Sequence, residues 1–158
     1  MRLGITGHRG LSPAVEKQVR DALAALVDDL SAEDLTGISC IADGPDAWFA
    51  QAVLAHGGRL EVVIPAAEYR QSLPDWHHPV YDDLLSRAVD VHHTGLRKST
   101  SQAHQAGSEI LVGLTDELIA VWDGLPARGY GGTADVVAYA RRVGVPVHIL
   151  WPDGATRD

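Results

Sequence analysis

The chain has 158 residues, 46% hydrophobic and 22% charged, with 21 acidic against 13 basic side chains and a formal net charge of −8. That length and apolar fraction suit one globular domain spanning residues 1–158 and exclude wholesale disorder. No apolar run approaches the ~20 residues of a membrane span, and the acidic balance argues against binding a nucleic-acid backbone, which rests on Lys and Arg displacing counterions.

The elements follow in chain order. Arg2 to Thr6 reads as a short buried strand halted at Gly7, and Gly7-His8-Arg9-Gly10 as the loop after it. Ser12-Pro13 opens a helix, with Ser as N-cap and Pro at the first helical position. Val15, Val19, Ala22, Leu23, Leu26, Val27 and Leu30 then recur at helical spacing. Gly37 to Ala42 is a second strand, with Cys40 inside it as an inert buried residue. It runs into Asp43-Gly44-Pro45-Asp46 and a helix carrying Ala47, Ala50, Val53 and Leu54. Gly57-Gly58 ends that helix, and Leu60 to Ile64 is a third strand.

Ala66 to Pro79 reads as an irregular excursion suited to a lid, with Trp76 as its candidate for stacking on a base. Val80 to Ala88 is helical and Val89 to His93 a short strand. Ser99 or Ser101 caps a helix that reaches about Leu114. Leu118 to Trp122 is a strongly apolar strand ending at Asp123-Gly124. Gly129-Tyr130-Gly131-Gly132-Thr133 opens a helix bearing Val136, Val137, Ala140 and Val143, and Val145 to Leu150 is the last strand. Strands alternating with helices imply a three-layer α/β domain, a mostly parallel Rossmann-like sheet with helices on both faces.

Glycine makes up 16 of the 158 residues, about 10% against a usual ~7%, and its placement points to function. In open parallel sheets, ligands bind outside the carboxyl ends of the strands. Three such ends combine glycine with polar side chains: Gly7-His8-Arg9-Gly10; Asp43-Gly44-Pro45-Asp46; and Asp123-Gly124 with Gly131-Gly132-Thr133. Each precedes a helix, whose N-terminus offers unpaired N–H groups and a partial positive charge. Thr133 adds a hydroxyl, and Arg9 has the fork that pairs with a phosphate. Asp43 and Asp46 suit ribose hydroxyls or base amines, and His8 suits a phosphate contact or acid–base work.

Other chemistries lack support. Neither G-x-G-x-x-G nor G-x-x-x-x-G-K-[ST] occurs, which disfavours an ordinary dinucleotide fold or a P-loop NTPase. The pairs His77-His78 and His92-His93 are adjacent and so split between faces, and no Cys/His cluster has zinc spacing, so neither a metal nor another cofactor is expected. No G-x-S-x-G elbow is present. Cys40, the only cysteine, makes no internal disulfide, and the N-terminus meets Gly4 and Gly7 too early for a signal-peptide core. A reducing cytoplasm is therefore the expected compartment.

At these loops the sequence resembles the SMF/DprA–Lonely Guy superfamily of Rossmann-like proteins. GISCIADGPDAWFAQAVLAHGGRLEVVI, from Gly37 to Ile64, is similar to the S-G-L-A-x-G-I-D-x-x-A-H segment and following G-G-x-T-I-A-V of DNA-processing protein A. DELIAVWDG, GGTADVVAYAR and GVPVHILWP, between Asp116 and Pro152, are similar to the superfamily's later half. In Lonely Guy enzymes that half holds P-G-G-x-G-T-x-x-E, and these enzymes cleave the N-glycosidic bond of nucleoside monophosphates. Val136 stands at the position of their glutamate, with Asp135 one residue earlier, and Gly129-Tyr130-Gly131 replaces their Pro-Gly-Gly.

The expected partner is a nucleotide or a sugar phosphate. Its phosphate would lie on Gly131, Gly132 and Thr133 with help from Gly7 and Arg9, and its ribose or base would face Asp43, Gly44 and Asp46. The alternative is a nucleotide phosphoribohydrolase, with Asp135 or Asp43 as its carboxylate. Single-stranded DNA binding is the third reading, and the resemblance implies a homodimer.

Overall fold

A computed structural model describes residues 1–127 and 129–156. Its strands are β1 (Arg2–Gly7), β2 (Thr36–Ser39), β3 (Arg59–Ile64), β4 (Asp90–His93), β5 (Glu117–Val121) and β6 (Val147–Ile149). Its helices are α1 (Pro13–Asp28), α2 (Pro45–Ala55), α3 (Tyr69–Ser72), α4 (His78–Arg87), α5 (Ser101–Gly113) and α6 (Thr133–Arg142). The strands form one sheet in the order β4-β3-β2-β1-β5-β6. Every described pairing is parallel, so the sheet is fully and not just mostly parallel.

Alternation along β1 sets up the layers. Leu3 and Ile5 join Val15, Val19, Leu23 and Val27 of α1 and Phe49 and Val53 of α2 in one core cluster. Gly4 turns the other way, where an added Cβ would come within 2.9 Å of Leu111 in α5. Helices α1 and α2 contact each other on the first face, and α5 and α6 contact each other on the second. This is the expected three-layer Rossmann-like architecture. Helix α1 starts as its sequence dictates: the Ser12 hydroxyl accepts from the Val15 N–H at 3.4 Å, and Pro13 takes the first helical position.

Three local expectations need correction. Strand β2 stops at Ser39 because Ile41 adopts φ 48°, which leaves Cys40 in the loop beyond the strand. Helix α5 is capped by Thr100, between the two expected serines, through a bond from the Ala103 N–H at 3.1 Å. The segment expected as a lid is instead packed into the body: it forms α3 and a tight 3₁₀ turn over Asp75–His77, and Tyr69, Leu73 and His77 are buried. Among the described residues no helix is long and apolar enough to cross a membrane.

Candidate functional site

Chain progression reverses between β1 and β5: β2, β3 and β4 lie to one side of β1, and β5 and β6 to the other. Parallel sheets open a crevice at such a point, outside the carboxyl ends of the strands. A cavity of about 330 Å³ lies here, within the range that holds small molecules. Thr6, Gly7, His8 and Arg9 line it from the end of β1, Cys40, Ala42 and Asp46 from the β2–α2 connection, and Pro65 and Tyr69 from beyond β3. His104 and Ser108 of α5 and the turn from Gly129 to Thr133 close the outline.

The β2–α2 loop is held in an uncommon shape. Ile41 is fully buried at φ 48°, a conformation that costs a β-branched residue of order 1–3 kcal/mol and persists only where the surroundings over-determine it. The surroundings do so from both sides. The Ser39 hydroxyl accepts from the Ile41 N–H at 2.9 Å and donates to the Asp46 main-chain oxygen at 2.9 Å. Buried His77 meets the Ile41 carbonyl through Nε2 at 2.9 Å. Gly44, at φ 99°, then turns the chain into α2.

The second wall is the turn before α6. Gly131 has φ 85°, and a Cβ there would stand 2.7 Å from the Ser101 carbonyl oxygen, so both conformation and space demand glycine. The Gly131 N–H donates to Asp135 Oδ2 at 2.9 Å, tying the turn to the first helical turn. Gly132 is the N-cap, and Thr133, buried, is the first helical residue. The N–H groups that begin α6 therefore border the cavity with the positive end of the helix dipole.

The ionisable groups at the cavity are perturbed by burial. Burial raises the Asp46 carboxyl to about 7, against the lowering effect of an Ala42 backbone hydrogen bond and the nearby Arg9 charge. Burial also lifts the Tyr69 hydroxyl and the Cys40 thiol well above their ordinary ranges. It holds His104 below the usual imidazole value, with Arg9 acting in the same direction. Strongly shifted groups gathered in a cleft are a mark of functional sites.

Of the residues expected from the sequence, Gly7, His8, Arg9, Asp46, Gly131, Gly132 and Thr133 come together on the cavity. The others do not line it. Asp43 is buried, and its Oδ1 accepts from Arg9 Nη2 at 2.6 Å and Nε at 2.9 Å. Gly44 supplies the turn into α2, Gly124 an exposed turn at φ 83°, and Asp135 the brace on Gly131. Asp123 sits against buried His8, with its Oδ1 3.1 Å from His8 Nε2 and its N–H 3.2 Å from the same nitrogen. Gly7 serves packing as well, since a Cβ there would lie 2.9 Å from both Pro45 and Val121. Trp76 is 70% exposed and does not line the cavity, so it is not the stacking residue the sequence suggested.

Sequence reasoning missed Cys40, Tyr69, His104, Ser108 and Tyr130 as lining residues. Only Tyr130 stood inside a recognised glycine loop; the others reach the cavity through tertiary packing. The first histidine pair splits as its adjacency implies: His77 Nε2 meets the Ile41 carbonyl at 2.9 Å, while His78 Nε2 meets the Arg70 carbonyl at 2.7 Å. In the second pair, His92 Nε2 meets Glu61 Oε1 at 2.8 Å. Glu61, Asp90 and His92 each bring one potential ligand atom within 4.8 Å of the others. Glu61 is already held there by both Arg2 guanidinium nitrogens at 2.9 Å.

No protein-family model matches the chain, and no curated protein matches it. Solved structures do. DNA processing protein A from Streptococcus pneumoniae is 20% identical with a TM-score of 0.67 over 94% of this chain. This chain spans only about half of that protein, 49% of its length. DNA processing protein A from Helicobacter pylori, described by its single-stranded DNA binding mode, is 14% identical with a TM-score of 0.71, covering 99% of this chain and 68% of that one. The molybdenum cofactor binding protein from Rippkaea orientalis is 21% identical with a TM-score of 0.63, covering 96% of this chain and 77% of that one. At these identities the likeness is one of fold, and the resemblance of the sequence to the SMF/DprA–Lonely Guy superfamily fits the Rossmann-like fold these neighbours share.

Proposed function

We propose that this chain binds a nucleotide or a nucleotide-derived small molecule in the cavity between the ends of β1 and β5. The observation that carries the reading is the cavity's second wall, where the Gly131–Thr133 turn begins α6. In this reading the phosphate takes the Thr133 hydroxyl and the first N–H groups of α6, at Thr133 and Ala134, while the Gly131 N–H stays on Asp135 and holds the turn in shape. Tyr130, partly on the cavity and 58% exposed, supplies an aromatic face at its margin. Arg9 contributes its charge from the Asp43 pair at the opposite loop.

The fold neighbours support a small-molecule reading in part, since one is a molybdenum cofactor binding protein. Two others are DNA processing proteins, one of them a single-stranded DNA binder. The net charge of −8 favours a compact ligand over a polyanion. For the hydrolase alternative, the two named carboxylates do not line the cavity: Asp43 pairs with Arg9, and Asp135 accepts from the Gly131 N–H.

Isothermal calorimetry with AMP, ADP-ribose and ribose 5-phosphate tests the proposal. Binding by at least one phosphate-bearing ligand, weakened about tenfold or more in Gly131→Ala, is the expected result. No binding by any of the three overturns it. Chromatography of the same nucleotides after incubation reports whether free base appears, and a gel shift with a single-stranded oligonucleotide across a salt series reports on DNA.

A further inference from the structure

We infer that Asp46 is the base-reading residue of this cavity, and that the ligand presents to it two adjacent N–H donors, the N1–H and 2-amino edge of a guanine nucleotide. This rests on the nucleotide reading above and adds the identity of the base.

The geometry singles out this one carboxylate. Asp46 lines the cavity, whereas Asp43, Asp123 and Asp135 do not. Its main chain is fixed by the Ser39 hydroxyl at 2.9 Å and by its place in the first turn of α2, so the side chain projects from a rigid base. The charged and titratable groups around it are Arg9 from the loop after β1, Cys40 and Asp43 from the β2–α2 connection, and Tyr69 of α3. Arg9, the cation of this group, is committed to Asp43 at 2.6 Å. The donor the protein gives this carboxyl is the Ala42 backbone hydrogen bond, and its nearest cation is spent on Asp43.

A desolvated carboxylate is costly until donors meet it, which is why burial keeps Asp46 protonated up to about pH 7. A ligand bearing two parallel N–H groups removes that cost, because an ionised carboxylate is an acceptor at both oxygens. Guanine carries such a pair on its N1 and exocyclic 2-amino groups. The equivalent edge of adenine carries one donor and one acceptor, and its acceptor meets an ionised oxygen with lone pair against lone pair. Guanine binding should therefore expel the Asp46 proton and strengthen as the pH rises, whereas adenine should bind best while the proton remains.

The test measures GMP and AMP affinities by calorimetry at pH 6 and pH 8, with ribose 5-phosphate as a base-free control. The two nucleotides carry the same phosphate, so its own titration cancels in their ratio. A group ionising near pH 7 makes the GMP preference grow at least about tenfold between these pH values. Asp46→Asn, whose amide offers one donor and one acceptor, should abolish that growth and shift the preference toward AMP. A preference that does not change with pH in the wild type, or that survives in a folded Asp46→Asn protein, overturns the assignment while the phosphate reading stands. If ribose 5-phosphate and both nucleotides fail to bind, the nucleotide reading itself has failed. The wild-type ratio decides the matter alone should the variant not fold.

Discussion

Single residues carry the constraints that shape the site, and their costs can be separated. Gly131 and Gly124 share a positive φ, 85° and 83°, yet only Gly131 has backbone in the way of a Cβ, at 2.7 Å. Gly124→Ala should therefore cost about 1–2 kcal/mol for conformation alone and leave ligand affinity unchanged. Gly131→Ala should add a steric cost of about 1–3 kcal/mol and distort the turn. Thermal melts of the two variants, followed by calorimetry, check the contrast.

Asp46 has a folded value near 7, above the ordinary carboxylate value of 3.8. The folded state therefore holds a proton that the unfolded chain releases between about pH 4 and 7. Stability should fall as pH rises through that window and level off above it. Asp46→Asn should flatten the slope and gain relative to wild type at pH 8, as urea midpoints at pH 4, 6 and 8 would report.

Helix α1 illustrates an element that its own residues specify. Ser12 caps it, Pro13 fits the first turn, and Val15, Val19, Leu23 and Val27 recur every fourth position to make the buried stripe. Leu23 is fully buried, so Leu23→Ala should lose about 2–5 kcal/mol, measurable by urea unfolding. Helix α5 resisted the same reading because three candidate caps stand in succession at Ser99, Thr100 and Ser101. Ser99 is taken up elsewhere: its hydroxyl meets His104 Nε2 at 2.7 Å and Ser72 at 2.9 Å. Thr100→Ala should cost about 0.5–2 kcal/mol, while Ser101→Ala, removing no cap, should be near neutral in the same melt. Strand β2 was read too long because an apolar run carries no sign that Ile41 will be turned to φ 48°. The groups that impose that turn, Ser39 and His77, act through the folded structure, and His77 lies 36 residues away.

Across the molecule, Arg2, Glu61 and His92 tie β1, β3 and β4 together at the end of the sheet away from the cavity. Arg2 first, and His92 after it, hold Glu61 below its ordinary value. A depressed carboxylate contributes stability that is present above its unfolded value, 4.5, and is lost as the pH falls through the lower folded value. Acid should therefore loosen this end of the sheet. Glu61→Gln should reduce stability at pH 7 and make the acid limb of a stability–pH profile shallower, and Asp46→Asn should leave that limb in place.

Composition and local pattern determined that this is an acidic α/β chain, that its strands would be parallel, and that glycine-rich turns would stand at their carboxyl ends. Those are properties of periodicity and turn chemistry, which act over a few residues. The tertiary structure decided which carboxylate meets the cavity. Asp43 and Asp46 stand three residues apart in one motif, but Arg9 from another strand end draws Asp43 into an ion pair while Asp46 remains on the cavity wall. Asp135, adjacent to the position of the Lonely Guy glutamate, is turned back onto the Gly131 N–H by the fold of its own turn. Tyr69 and His104, distant in sequence, arrive at the same wall with ring centroids 5.7 Å apart. A side chain's partners depend on which elements pack beside it, and that is settled only when the sheet order brings β1, β2 and β5 together.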